Sequence, residues 1–136
     1  MKKVERRPRL PDVPLVVRRG DVLWIDCDPS NGVEPRKTRT CVVVSNDVAN
    51  EFGAAITVVP TQRYSAERAE RAYMVDLRAP RSTLDEPRVA NASMVTTFDR
   101  HRVRRRAGRL GLDAMRALDA ALTMHLGLEA AAVAKR

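Results

Sequence analysis

The sequence is poor in the features that define several protein classes. It has two cysteines, Cys27 and Cys41, too few for a disulfide scaffold and without the spacing of a metal-binding pair. Both sit in apolar runs, where a cysteine serves as a small hydrophobe. The pair suits a reducing cytoplasm, with a bridge between them as the lesser alternative. No apolar run approaches the roughly 18 residues that a membrane-crossing helix needs, so no membrane partner is expected. The N-terminus, MKKVERRPRLPDVPLVVRR, lacks the long apolar stretch of a secretion signal, and the chain has no internal repeats. Acid is in short supply: 17 Asp and Glu stand against 25 Lys and Arg, for a net charge of +8. That imbalance favours a polyanion, whether nucleic acid, an acidic protein or an anionic membrane surface.

What is present is enough for one domain. A chain of 136 residues buries a core without disulfides. Residues 1–17 read as a basic extension, broken by Pro8, Pro11 and Pro14, either a solvated arm or an auxiliary phosphate contact. The folded domain is expected over residues 18–136. Asp21 to Cys27 alternates, with Val22, Trp24 and Asp26 facing one way and Leu23, Ile25 and Cys27 the other. Asp28-Pro29-Ser30-Asn31-Gly32 is turn chemistry. Thr40 to Ser45 reads as a strand buried on both faces, and Asn46-Asp47 opens a loop or short turn through Gly53. Ala55 to Val59 is a third strand, stopped by Pro60. A polar connector spans Tyr64 to Arg71, a fourth strand Ala72 to Leu77, and an irregular loop Arg78 to Arg88. Val89 to Phe98 holds one or two short strands, and Val103 to Leu110 supplies another. From Leu112 the period changes: Leu112, Met115, Leu118, Leu122 and Leu126 fall at helical spacing, which predicts a helix over about 112–128. Short strands followed by one helix point to a small, strongly curved β barrel with a helix packed on it, although periodicity alone leaves closure open.

The loop between the first two strands carries Glu34, Arg36, Lys37 and Arg39, and Thr61 stands just after a strand end. Guanidinium and ammonium groups on a loop held by strands are suited to gripping a phosphodiester. Asp26 and Asp28 invite a metal-nuclease reading, but no further carboxylate or histidine cluster completes a site. His101 lies in a run with six arginines between Arg100 and Arg109, which reads as a phosphate-steering patch, a docking surface or a solvated strand edge. His125, between helix leucines, reads as structural. Trp24 reads as core or interface, with base stacking as a minor role.

Residues 19–61 resemble the MazF/PemK family of ribosome-independent endoribonuclease toxins. The resemblance rests on Arg19-Gly20-Asp21-Val22 with Trp24, on Asp26 and Asp28-Pro29, and on Gly32-Val33-Glu34 and Arg39. It continues through Ser45-Asn46-Asp47 with Asn50, and through Ile56-Thr57-Val58-Val59-Pro60-Thr61. Weaker similarity continues to the terminal helix, so that residues 18–128 are covered. The chain departs from the family pattern at Pro35, at Arg36-Lys37-Thr38, at Thr40 where proline is usual, and at Thr96 where a basic residue is frequent.

The resemblance implies an SH3-like barrel, a homodimer, sequence-selective cleavage of single-stranded RNA, no metal cofactor, and an acidic antitoxin that wraps the toxin. The same fold family includes a gyrase poison that acts by gripping a protein, and a basic RNA binder without cleavage is the weaker alternative. The catalytic residues implied are Arg39, as charge stabiliser and proton donor, and Thr61, whose hydroxyl donates to a phosphoryl oxygen. Glu34 either accepts the 2′-hydroxyl proton, orients Arg39, or merely holds the loop through Arg36 or Lys37. Arg36 and Lys37 are placed on phosphate. Asn31 and Asn46 are candidate base contacts, for which turn-forming roles serve equally well.

Overall fold

The computed structural model describes residues 15–27 and 38–128. Among these residues seven strands are present: β1 (Asp21–Asp26), β2 (Thr38–Val43), β3 (Ala55–Arg63), β4 (Met74–Asp76), β5 (Arg88–Asn91), β6 (Thr96–Asp99) and β7 (Val103–Arg109). The helices are α1 (Asp47–Phe52), α2 (Ala66–Ala69) and α3 (Leu112–Leu126). The strands form one antiparallel sheet in the order β4-β5-β3-β2-β1-β7, with β6 pairing the first half of β3. The ladder does not close into a complete barrel. The edges approach where the segment after β4 meets the end of β7: Ser82 bridges Leu110, and Thr83 donates its N–H to the Arg109 carbonyl at 3.0 Å.

Strong curvature has a local cause. The β1–β7 register runs Val22↔Gly108, Leu23↔Arg106, Trp24↔Arg105, Ile25↔Val103, so Ala107 and Arg104 are extra residues on β7. Each such bulge bends its strand and increases its twist. The curved sheet then buries two apolar clusters. One, around Val22, Val42, Val59 and Leu77, is covered by Ala114, Met115, Leu118 and Leu122 of α3. The other gathers Leu23, Ile25, Cys41, Val43, Ile56 and Val58 on the opposite face, and it extends back to Val17 with Leu15 packed against it. Leu112 and Leu126, at the two ends of the helical stripe, are exposed. Gly127 ends α3 with φ of 70°, a left-handed stop that favours glycine.

Two readings of the sequence need correction. Pro60 does not end β3, which runs on to Arg63. β3 pairs with β6 as far as Val58 and with β5 from Thr61, so Pro60 falls in the changeover, where a missing N–H costs little. The segment after Asn46 is the helix α1, not a loop. The Asn46 side chain caps it by accepting the Ala49 N–H at 2.8 Å. Asn50 inside that helix is fully buried; it donates to the Ser45 carbonyl and to Asp47, which in turn accepts the Arg19 N–H at 2.7 Å. The polar Ser45-Asn46-Asp47 motif thus ties α1 to the start of β1.

Candidate functional site

Directly opposed residues make a row across five strands, Arg105 (β7), Trp24 (β1), Thr40 (β2), Thr61 (β3) and Ala90 (β5), set by the ladder registers and by the contact between the two threonine hydroxyls. At its centre Thr40 Oγ1 and Thr61 Oγ1 lie 2.6 Å apart, Thr61 Oγ1 donates to the Thr40 carbonyl at 3.0 Å, and Arg88 Nε donates to Thr61 Oγ1 at 3.0 Å. A hydroxyl has one proton and two lone pairs. With its proton on the Thr40 carbonyl, Thr61 accepts from both Thr40 and Arg88 and is saturated. That satisfaction is what lets Thr61 be fully buried and Thr40 nearly so.

Arg88 reaches this network from β5 and also donates through Nη2 to the Thr61 carbonyl at 3.3 Å. Its Nη1 makes no hydrogen bond to any described residue. Arg88 stands directly opposite Arg63 in the β3–β5 register. Burial holds its pKa below the usual guanidinium value; Glu86 works the other way, and the charges of Arg63 and Arg39 push it down further. Two further guanidinium groups, those of Arg63 and Arg39, therefore act on Arg88 at this end of the sheet. Beside them opens a cavity of about 150 Å³ walled by Trp24, Thr40, Leu84, Glu86, Arg88 and Ala107. The Leu84 wall is held close by Gly108, where an added Cβ would come within 2.8 Å of Thr83 Oγ1.

Arg39 is exposed at the start of β2, and its side chain makes no hydrogen bond or ion pair among the described residues. Neighbouring strand positions alternate faces, so Arg39 leaves the sheet on the side opposite Thr40 and Thr61. The two candidate residues therefore share one end of the sheet without touching, and the Arg39 charge is felt at Arg88. On its own face, Arg39 lies beside the two cysteines. The Cys27 thiol is drawn down to about 7, chiefly by its hydrogen bond with Cys41 and further by the Arg39 charge, against the opposing effect of burial. Cys41 is pushed up by the same bond and by burial, so Cys41 keeps the shared proton.

The remaining candidates divide clearly. Asn31, Glu34, Arg36 and Lys37 lie outside the described residues. Asn46 sits at the other end of β2 from Arg39 with its side-chain oxygen engaged in capping α1. Much of the arginine run on β7 is occupied: Arg104 pairs with Asp26 at 3.1 Å, Arg106 and Arg109 pair with the buried Asp21, and Arg105 lies 5.3 Å from the Trp24 ring. His101 is exposed and paired with Asp99, and His125 is exposed on α3. Among the described residues no three His, Cys, Asp or Glu side chains converge to hold a metal ion, and no helix is long and apolar enough to cross a membrane. Arg88 and Arg63 were not singled out from the sequence. Their opposition depends on a strand register that sequence spacing does not reveal.

A family profile described as PemK-like, MazF-like toxin of type II toxin–antitoxin system matches residues 18–126. Endoribonuclease MazF9 of Mycobacterium tuberculosis is 34% identical over 118 residues, covering 83% of this chain and 98% of that protein. Among solved structures, a MazE–MazF complex from Deinococcus radiodurans superimposes with a TM-score of 0.71 at 20% identity, covering 85% of this chain and 99% of that one. A mycobacterial endoribonuclease in complex with its cognate antitoxin gives 0.67 at 19% identity, covering 83% and 97%. Both structural likenesses concern the fold. With the family profile and the 34% relative in agreement over most of its length, the chain belongs to the PemK-like, MazF-like toxin family of type II toxin–antitoxin systems.

Proposed function

We propose that this chain is a cytoplasmic toxin that cleaves single-stranded mRNA, sequence-selectively and without a metal ion, at the end of the sheet that carries Arg39, Arg63 and Arg88. One observation carries the reading: Arg63 and Arg88 are directly opposed across a ladder, with Arg39 in electrostatic range. Like charges set opposite each other destabilise a sheet. A polyanion relieves that repulsion, and the endoribonuclease relative supplies the substrate class.

RNA brings its own nucleophile. Its 2′-hydroxyl loses its proton to a base and attacks the adjacent phosphorus, the P–O5′ bond breaks, and the 5′-oxygen leaves with a proton donated by Arg39, giving a 2′,3′-cyclic phosphate and a 5′-hydroxyl. Negative charge builds on the phosphoryl oxygens, and an exposed guanidinium stabilises it. Arg39 takes that role, because its side chain is not committed to any described residue. A guanidinium keeps its charge at neutral pH and is a poor base, so the 2′-hydroxyl proton goes to another group, for which Glu34 is the candidate. Thr61, buried and saturated, acts by holding Arg88 in place at this end of the sheet; donating its proton to a phosphoryl oxygen, the role the resemblance implies, requires that substrate displace the Thr40 carbonyl. Arg36, Lys37 and Asn31 extend the contacts along the RNA, and Asn46 contacts bases from the far end of β2. The active form is a homodimer, and an acidic antitoxin occupies the basic surface in competition with RNA.

The test is end-group analysis. Purified protein is incubated with single-stranded RNA in excess EDTA, and the fragments are weighed by mass spectrometry. Cyclic-phosphate and 5′-hydroxyl ends are expected; intact RNA, or cutting that EDTA abolishes, overturns the reading.

A further inference from the structure

The cavity beside Arg88 borders the arginines that grip phosphate and has a defined composition of its own. Trp24, Leu84 and Ala107 give it an apolar wall that includes the chain's one tryptophan. Arg88 brings a guanidinium whose Nε and one Nη2 N–H are fixed on Thr61, which leaves Nη1 and the second Nη2 N–H as a fork for a ligand. Asp85 and Glu86 bring carboxylates, which only accept hydrogen bonds. The arrangement is held from behind: Thr61 and Thr40 lock Arg88, and the bridge from Ser82 to Leu110 places the segment leading to Glu86 against β7.

We propose that this cavity receives one nucleobase of the RNA and favours guanine. The inference rests on the RNA-cleaving reading above and names the base that reading leaves open. A planar ring finds an aromatic and apolar wall, the usual platform for an unstacked base. Arginine pairs with guanine O6 and N7, the edge that carries two acceptors. Guanine N1–H and the N2 amino group are adjacent donors that suit a single carboxylate such as Glu86. Adenine and cytosine each offer only one exocyclic amino donor beside a ring acceptor, and that ring nitrogen meets the carboxylate with like lone pairs. Uracil offers a single N–H. Partial burial of Arg88 adds to the selectivity, because water competes less for its remaining donors.

Trp24 makes the test direct, since its fluorescence reports occupancy of the wall it forms. The protein is titrated with the 5′-monophosphates of guanosine, adenosine, cytidine and uridine. The guanosine nucleotide is expected to quench at concentrations at least tenfold below the other three, and Glu86→Gln is expected to abolish that preference. Glu86 is exposed, so the variant folds, which circular dichroism checks. Equal quenching by all four nucleotides, no quenching, or an unchanged preference in Glu86→Gln overturns the assignment. RNA cleavage is measured alongside. RNA cut without regard to guanine removes the base pocket and leaves the nuclease reading intact, whereas guanosine binding by a protein that cuts no RNA removes the nuclease reading instead.

Discussion

Arg63 and Arg88 stand opposite each other across the β3–β5 ladder, two guanidinium groups where a sheet ordinarily sets opposite or neutral partners. Directly opposed like charges cost about 0.2–1 kcal/mol, the same scale that favourable cross-strand pairs gain. Arg63→Gln is therefore expected to raise the melting temperature slightly while weakening RNA binding. The slope of log affinity against log salt should fall by about one phosphate contact. Calorimetry and binding at several salt concentrations measure the two effects. A variant that loses both stability and affinity would contradict the account.

The buried threonine pair gives a second expectation. Thr61→Val keeps the shape of the side chain but removes the acceptor of Arg88 Nε and the partner of Thr40. Leaving buried polar groups unsatisfied costs about 1–3 kcal/mol. Denaturant unfolding should show that loss, while Thr61→Ser retains the hydroxyl and most of the stability. Equal stability of the valine and serine variants would show that the network holds nothing in place.

Asp21 is the third. Its carboxylate is buried and accepts from Arg106, from Arg109 and from the Arg18 N–H at 2.9 Å. Its arginine partners are half exposed and can turn to solvent, so the loss is that of the charge-assisted hydrogen bonds, about 1.5–3 kcal/mol. Asp21→Ala should unfold at markedly lower denaturant concentration than Asp119→Ala, which removes a more exposed partner of Arg19. Matching unfolding midpoints would argue against the clamp between β1 and β7.

Cys27 offers a pH-dependent readout beside Arg39. Its thiol titrates at about 7, so it is protonated and slow to alkylate below that pH and becomes a reactive thiolate as pH rises through it. Iodoacetamide labelling followed by mass spectrometry should show half-maximal rate near pH 7 at Cys27, with Cys41 unlabelled. Arg39→Ala should move the midpoint upward, since the neighbouring positive charge favours the thiolate. A midpoint near the ordinary thiol value of about 8.5 would contradict the placement.

β1, with its alternation, and the helical stripe of α3 were legible from the sequence, because each side chain's face follows from the local repeat; β2 was legible as a continuous apolar run, placed at Thr40 to Ser45 where the strand is Thr38–Val43. Pro60 misled because its tolerance depends on a change of pairing partner on one side of β3, from β6 to β5. α1 is six residues long, too short for a helical period to declare itself. At the site, the motif drew attention to Arg39 and Thr61 but not to the residues that hold Thr61. Arg88 follows a proline-containing segment with no periodicity, and its contacts with Thr61 span 27 residues of chain. The arginine run of β7 looked uniform in sequence. Its division into arginines that clamp Asp21 and Asp26 and one that covers Trp24 follows from the bulged register.

The central claim is that the guanidinium of Arg39, which pairs with no described residue, stabilises the charge that develops as RNA is cleaved. Single-turnover cleavage of one RNA by the wild-type and Arg39→Ala proteins tests it most directly. Removing a donor of this kind costs about 10²–10³-fold in rate, and the melting temperature should not change, because no described residue depends on that side chain. An Arg39→Ala protein that cuts at the wild-type rate would contradict the claim.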